Sequence, residues 1–176
     1  MAKTKALPKD WREFLHPESL YWLRFPPEWE EASAKSPEAS FAAVSDNGLL
    51  LFEIISMNVG DSDLENFEDS VDLIGRLLAD SLRDSHPDFE IQSNERVDLP
   101  PVKDAAWDRL PSPPVLERPK ACRRMVCTYS DPMEFTQECY ILNRDASVLA
   151  CNFKVVSSEY SGMEDVFRKV AGAVRA

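Results

Sequence analysis

Apolar residues in the N-terminal third of the chain fall into three short runs that predict β-strands. Residues 20–25 are rich in aromatic, β-favouring side chains, and the prolines at 26–27 end this run because proline supplies no donor to a strand ladder. Residues 39–44 and 49–57 predict a hairpin, since the Asp-Asn-Gly at 46–48 tolerates the positive φ of a tight turn. The third run is apolar at both alternating sets of positions, so both faces of its strand should be covered.

Two later stretches carry apolar residues at three- and four-residue intervals, which predicts amphipathic helices. The first covers residues 64–82 and follows a capping box formed by Ser62 and Glu65, in which each side chain satisfies a backbone donor at the helix start. The second repeats this spacing at Ser161 and Glu164, and its apolar stripe runs to the C-terminus. The chain is therefore expected to end on a helix.

Further strands are predicted between the two helices. Residues 88–99 alternate cleanly between apolar and polar, which indicates a strand with one face in water. A short run at 105–107 precedes a proline-rich loop, and three longer runs follow at 121–129, 133–142 and 147–156. Their short connections favour an antiparallel meander. The order of elements predicts an α+β fold, with an antiparallel sheet covered by helices rather than a doubly wound parallel sheet.

Length and composition indicate one domain. The chain has 176 residues, 44% of them hydrophobic, which suffices for one sizeable core. Residues 1–17 are interpreted as an N-terminal extension and residues 18–176 as the domain. Within the extension, residues 10–15 predict a short helical turn or an apolar plug, whose Trp11 and Phe14 need a place to be buried.

Charge restricts the class of partner. Thirty-one acidic residues against 20 basic ones give a formal net charge of -11, which would repel a phosphate backbone. Nucleic acid is therefore not an expected partner. The sequence shows no secretory signal pattern and no apolar run long enough to cross a membrane, so a cytoplasmic protein without membrane insertion is expected.

The sequence predicts no metal site and no cofactor. Its four cysteines, Cys122, Cys127, Cys139 and Cys151, form no C-x-x-C pair and lie among apolar strand residues. They are interpreted as buried free thiols, with zinc or redox chemistry as the alternative. The whole chain has five glycines, and none of them forms a glycine-rich loop that could hold a phosphate or a dinucleotide.

A hydrolase-type enzyme that uses carboxylates in a cleft is the enzymatic alternative. Glu53, Glu134 and Glu138 lie on predicted strands, and such an enzyme would need two of them to converge on one pocket. The other interpretation of these glutamates is that they lie on solvated strand faces. Neither the serines nor the two histidines form a pattern typical of a catalytic triad, and the sequence favours a protein that is not an enzyme.

Candidate partner-binding residues lie in the second half of the chain. One positive patch there consists of Arg118, Lys120, Arg123 and Arg124. Alternation along a strand places at least two of these side chains on one face, where they could meet an acidic partner. The alternative is internal pairing across the hairpin with Glu134 or Glu138. Trp107, beside the proline-rich loop, is the candidate for an exposed anchor.

The residues at 23–29, Leu-Arg-Phe-Pro-Pro-Glu-Trp, are similar to the aromatic-proline-x-x-tryptophan start of the PsbP-like superfamily, which includes PsbP, the Ran-binding Mog proteins and the DcrB-like bacterial proteins. Residues 39–57 resemble the hairpin of this family, 67–82 its long helix and 89–97 the strand after it. Asp104 departs from the pattern, because the family has a glycine there. The resemblance implies a central antiparallel sheet flanked by helices, an α/β/α sandwich.

The same resemblance implies a function without catalysis. Relatives bind a photosystem core, a small GTPase or the apolar segments of a toxin that must be kept soluble. We therefore expect a protein-binding module, such as an adaptor or a chaperone-like accessory protein, with a secretion-associated role among the options. A toxin-immunity-type blocking protein is an alternative that differs only in its partner. The oligomeric state stays open, a dimer included.

Overall fold

The computed structural model describes residues 7–18, 21–59, 70–99, 122–144 and 147–176. Two short strands near the N-terminus are β1 (Arg12–Leu15) and β2 (Trp22–Phe25). The remaining strands are β3 (Trp29–Glu31), β4 (Ala39–Ser45), β5 (Leu50–Asn58), β6 (Glu90–Arg96), β7 (Cys122–Ser130), β8 (Glu134–Arg144) and β9 (Ser147–Val156). The helices among the described residues are α1 (Ser70–Ser85) and α2 (Tyr160–Ala173).

The large sheet has seven described strands in the order β3-β4-β5-β9-β8-β7-β6, and every neighbouring pair is antiparallel. This confirms the predicted α+β fold and the predicted meander from β7 to β9. The hairpin between β4 and β5 turns at Gly48, whose φ of 69° is a conformation that glycine adopts without strain. Pairing of β5 with β9 joins the N-terminal strands to the meander.

One face of the large sheet is covered by α2 together with the two-stranded sheet of β1 and β2. Aromatic rings fill the space between these layers. Phe153 stacks on Phe52 at a centroid distance of 4.5 Å and on Phe167 of α2 at 4.4 Å. Trp29 closes the same core and is 1% exposed. Burial of such large apolar surfaces is the main source of stability on this face.

Helix α1 covers the opposite face. Val71 and Ile74 pack against Met125 of β7 and Ile141 of β8. Gly75 permits this close approach, since a Cβ atom there would lie 2.9 Å from Cδ of Arg123. Ile54 of β5 belongs to the core on the α2 side and Ile55 to the core on the α1 side, as predicted for a strand that is apolar on both parities.

The N-terminal segment differs from the prediction. Residues 10–15 do not form a helical turn, because Phe14 lies on β1 and pairs with Leu23 of β2. Edge pairing with an aromatic strand outweighs the weak helical preference of so short a run. Trp11 is buried in the α2-side core, which agrees with the predicted apolar plug.

Helix α2 starts differently from the prediction. Helix α2 begins at Tyr160 after a 3-10 turn, so Ser161 lies inside the helix and makes no side-chain cap at its start. The helix ends at Ala173, and Arg175 then exchanges backbone hydrogen bonds with Trp22 of β2. The predicted capping box of the first helix and the run at 105–107 lie outside the described residues.

Strand β6 is more exposed than predicted. Among the described strands it pairs with β7 alone, and the register shifts between Ile91 and Ser93. The bulge moves the apolar positions from one face to the other, because Phe89 before it packs on the α1-side core whereas Val97 and Leu99 after it pack on the α2-side core. Ile91 is 40% exposed. Neither described helix combines the length and the apolar content that crossing a lipid bilayer requires.

Candidate functional site

A network of four polar side chains lies between the α2-side face of the large sheet and α2. Arg124 of β7 donates from Nε to Oε1 of Glu138 at 2.6 Å, and from Nη2 to Tyr160 Oη at 3.0 Å and Glu164 Oε1 at 2.7 Å. Tyr160 donates to Oε2 of Glu138 at 2.7 Å. Glu138 is completely buried. The network therefore pairs a buried carboxylate and ties the N-terminal half of α2 to the sheet.

Two members of this network, Arg124 and Tyr160, have pKa values that are raised away from neutrality. Burial disfavours the charged form of Arg124, but the hydrogen bond and the charge of Glu138 outweigh burial and raise the pKa of Arg124. Burial, together with the neighbouring Glu138, raises the pKa of Tyr160. At neutral pH the guanidinium is therefore charged and the phenol protonated. These groups hold structure and charge in place rather than exchange protons.

A cleft of about 370 Å³ opens beside the network, between the end of β6 and α2. Its described lining consists of Glu95, Val97, Asp98, Leu99, Arg124, Tyr140 and Arg168. Glu95 lies directly opposite Arg124, and Arg124 lies directly opposite Tyr140. Because directly opposed residues project from the same face, these three side chains form one row across β6, β7 and β8.

Tyr140 is the unusual member of this row. It is buried, and its hydroxyl makes no hydrogen bond of good geometry to a described residue, although the Glu138 carboxylate and the Arg168 guanidinium both lie close to it. Burial is the main cause that raises the pKa of Tyr140, and the Glu138 carboxylate adds to it. The guanidinium groups of Arg124 and Arg168 act in the opposite direction, which places both near the hydroxyl. A buried, unpaired hydroxyl that lines a cleft is a feature that a ligand could satisfy.

The structure separates the residues of the predicted basic patch. Arg123 and Arg124 are consecutive on β7 and face opposite sides of the sheet. Arg123 Nη1 lies 3.5 Å from Oδ1 of Asp72 on α1, and Arg96 also pairs with Asp72, at 2.6 Å. Arg124 makes the internal pair with Glu138 that the sequence offered as the alternative. Trp107, Arg118 and Lys120 lie outside the described residues.

The carboxylates of the enzymatic alternative do not converge. Glu53 lies opposite Asn152, while Glu138 lies opposite Phe153, so Glu53 and Glu138 occupy opposite faces of the sheet. Glu53 accepts hydrogen bonds from the backbone and side chain of Ser36, which explains its burial. Glu134 is four residues from Glu138 on β8, roughly 13 Å along the strand. A glycosidase pair needs a separation of about 5–9.5 Å.

The four cysteines are buried free thiols, as predicted. Burial raises the pKa of Cys122 and Cys127 to about 12, and it also raises the pKa of Cys139 and Cys151. Such thiols remain protonated at neutral pH and are poor nucleophiles. Within the described part of the chain, no three His, Cys, Asp or Glu side chains come together as metal ligands.

A second, smaller pocket of about 200 Å³ lies between the β4–β5 hairpin and the start of α2. Leu49 and Met163 provide part of its apolar surface, and Glu28, Asp46 and Glu159 are the acidic residues of its described lining. Among its described lining residues, this pocket has carboxylates but no buried polar group left without a partner. We therefore regard the cleft beside Tyr140 as the candidate site.

The sequence indicated only part of this site. The pairing of Arg124 with Glu138 was foreseeable, because a short hairpin brings β7 and β8 together. Glu164 was interpreted as a capping residue, whereas it accepts a hydrogen bond from Arg124. Nothing in the sequence indicated that Tyr140 and Arg168 belong to a site, since an aromatic residue on a strand and an arginine on a helix are ordinary features. Only the strand register and the position of α2 bring them together.

No family model matches the sequence, and no curated protein matches it. Among solved structures, the fold is similar to that of PsbP (CyanoP) from Synechocystis sp. PCC 6803, with a TM-score of 0.66 and 10% identity over 94% of this chain and 91% of that one.

Two further solved structures share the fold. The Ran-binding protein Mog1p of Saccharomyces cerevisiae has a TM-score of 0.58 and 8% identity over 93% of this chain and 94% of its own. LpqN, involved in cell envelope biogenesis of Mycobacterium tuberculosis, has a TM-score of 0.56 and 14% identity over 93% and 90%. At such low sequence identities, the similarity shows only that the folds are alike. The chain has the PsbP-like fold.

Proposed function

We propose that this chain is a non-catalytic protein-binding module, an adaptor or chaperone-like accessory protein, and that the cleft beside Tyr140 is its recognition site. The observation that carries the proposal is the buried hydroxyl of Tyr140, which lines a cleft of about 370 Å³ and lacks a partner among the described residues. An unpaired buried polar group is costly, and binding a partner group would remove that cost.

The chemistry of the cleft supports recognition over reaction. A general acid or base works best when its pKa lies near the working pH. The pKa values of Tyr140, Tyr160 and Arg124 are all raised, away from neutrality. Their protonation states therefore stay constant at neutral pH, which suits a surface that holds a partner in a fixed geometry.

The fold comparison supports the same proposal. Mog1p, which shares this architecture, is a Ran-binding protein. One protein with the same fold therefore binds a protein partner, and we propose the same kind of partner for the present chain. The net charge of -11 favours a partner with basic surface and disfavours nucleic acid. We further propose that the chain acts in the cytoplasm.

Charge reversal at the mouth of the cleft tests the proposal. Immobilised native chain, the variant Arg168→Glu and the control Arg76→Glu would be exposed to native lysate, and bound proteins identified by mass spectrometry. Arg76 is a suitable control because it is an exposed helical arginine on α1, on the other side of the sheet. We expect one protein to be retained by the native chain and the control and lost from Arg168→Glu.

Two outcomes would contradict the proposal. If no protein is retained stoichiometrically by the native chain, the chain is not a protein-binding module under these conditions. If a protein is retained equally by Arg168→Glu, the cleft is not the docking site. In that second case, Trp107→Ala and a joint Arg118→Gln/Lys120→Gln variant test the other docking residues proposed from the sequence.

A further inference from the structure

We propose that the cleft binds an extended peptide segment of the partner that carries one carboxylate and one ammonium group. The carboxylate would accept hydrogen bonds from Tyr140 and Arg168, and the ammonium would lie beside Glu95 and Asp98. This inference rests on the proposed function, because it names the chemistry of the segment that occupies the proposed recognition site.

Hydrogen-bond donors at the floor of the cleft define the carboxylate position. The Tyr140 hydroxyl has no partner among the described residues. Among the described residues, Arg168 forms an ion pair with Glu164 at a distance of 3.9 Å, and its side chain is 48% exposed, so it can turn donors toward a bound carboxylate. Arg124 engages described acceptors through Nε and Nη2 but not through Nη1. Donors from three side chains thus surround one region, and two of them are cationic.

The rim of the cleft defines the ammonium position. Glu95 and Asp98 are both exposed, and no described cation lies within ion-pair distance of either carboxylate. The other two carboxylates near the cleft, Glu138 and Glu164, already pair with Arg124. The unpaired negative charge therefore belongs to the rim, at the end of the row that is farthest from Tyr140.

The spacing of the row fits a peptide. Glu95 on β6 and Tyr140 on β8 are separated by two strand spacings, roughly 10 Å. An extended chain advances about 7 Å over two residues, and long charged side chains extend this reach. A segment with Glu and Lys on either side of one residue therefore covers the distance, and Val97 and Leu99 offer an apolar wall for the central side chain.

Ligands with one type of charge fit less well. A simple anion would satisfy Tyr140 and Arg168 but would face the unpaired Glu95 and Asp98 and the negative charge of the whole chain. A simple cation would bring no hydrogen-bond acceptor to the buried hydroxyl of Tyr140 and would lie beside the guanidinium of Arg168. The described lining contains two carboxylates and two guanidinium groups, so a segment with both charges matches it best.

Three capped tripeptides test the inference. Acetyl-Glu-Leu-Lys-amide carries both charges, acetyl-Gln-Leu-Lys-amide lacks the carboxylate, and acetyl-Glu-Leu-Gln-amide lacks the ammonium. Each would be titrated into the ¹⁵N-labelled full chain and followed by amide chemical shifts. We expect the doubly charged peptide to bind most tightly and to shift amides of β6, β7, β8 and α2.

Protein variants assign each charge to its site. Tyr140→Phe should weaken the two Glu-containing peptides by roughly tenfold and leave the Gln-Leu-Lys peptide unchanged, since the lost hydrogen bond goes to a charged group. The joint Glu95→Gln/Asp98→Asn variant should weaken the two Lys-containing peptides by about threefold, as expected for exposed ion pairs. Tyr129→Phe and Arg76→Gln are matched controls away from the cleft and should change neither.

Equal binding of all three peptides, no binding, or shifts confined to other strands would overturn the inference. So would a Tyr140→Phe effect that does not depend on the peptide carboxylate. The peptide titrations and the lysate experiment can fail independently of each other. Loss of a captured protein in Arg168→Glu without any binding of the doubly charged peptide would leave the protein-binding function in place and reject this description of the bound segment.

Discussion

At the scale of single residues, two neighbouring polar groups of β8 differ in how their burial is compensated. Glu138 is buried but accepts hydrogen bonds from Arg124 and Tyr160, so its burial is compensated. Tyr140, two residues further along the same strand and on the same face, is buried without a described partner. A structural role explains the first residue. The second is better explained by a ligand, because folding alone gains nothing from an unpaired hydroxyl.

Replacing Tyr140 by phenylalanine should therefore stabilise the free protein. We expect Tyr140→Phe to raise the free energy of unfolding by about 1 kcal/mol, because it removes a buried hydroxyl that no described residue satisfies. Urea denaturation followed by tryptophan fluorescence measures this. In Tyr129→Phe, the matched control, a hydrogen bond to Gln137 Oε1 at 2.7 Å is lost, and the free energy of unfolding should fall by about 1 kcal/mol. A loss of stability in Tyr140→Phe would show that its hydroxyl has a structural partner.

At the scale of secondary-structure elements, the sequence was informative where local signals and packing agree. The β4–β5 hairpin and the meander from β7 to β9 were predicted, because turn residues and apolar runs specify them locally. The predicted start of α2 was wrong. The spacing of Ser161 and Glu164 is typical of a cap, but the helix begins at Tyr160, before both residues. The register that brings Arg124, Tyr140 and Arg168 together depends on tertiary packing, which no local pattern encodes.

The contact between α1 and β7 gives a prediction at this scale. Glycine inside a helix is less favourable than alanine by about 1 kcal/mol, so Gly75 must be retained for another reason. A Cβ at this position would lie 2.9 Å from Cδ of Arg123. We expect Gly75→Ala to stabilise the protein by about 1 kcal/mol when Arg123 is also alanine, and by clearly less, or not at all, in the native background.

A double-mutant cycle of Gly75→Ala and Arg123→Ala, measured by chemical denaturation, checks this expectation. Gly162 on α2 provides the control, since a Cβ there would meet no atom within 4 Å. The effect of Gly162→Ala should not depend on Arg123. Additive effects of Gly75→Ala and Arg123→Ala would contradict the proposed close contact.

At the scale of the whole molecule, burial of ionisable groups predicts how stability depends on pH. Burial raises the pKa of Cys122, Cys127 and Tyr21 to about 12. In the unfolded chain, cysteine and tyrosine ionise near their ordinary pKa values of about 8.5 and 10. Between these values and about 12, the unfolded state therefore binds fewer protons than the folded state. The free energy of unfolding should be unaffected below about pH 8 and should fall as pH rises toward 12.

Denaturation at pH 7.5, 9 and 10.5 measures this alkaline loss. The joint variant Cys122→Ala/Cys127→Ala should lose less stability between pH 7.5 and 10.5 than the native chain, because each removed thiol contributes a slope of at most about 1.4 kcal/mol per pH unit. Comparing slopes rather than absolute stabilities corrects for the packing lost with the thiols. Identical slopes for the two proteins would mean that the buried thiols do not determine the alkaline loss.

The pairing of β5 with β9 has a consequence for how the chain reaches this structure. Phe52 meets Phe153 there, although most of the polypeptide separates them. The hairpin of β4 and β5 and the meander of β7, β8 and β9 can each assemble from neighbours along the chain. The pairing of β5 with β9 closes a much longer loop, and the entropic cost of closure grows with the logarithm of loop length, so non-local pairing of this kind is slow. A nascent chain must therefore keep the edge of β5 that pairs with β9 without this partner until β9 has been synthesised.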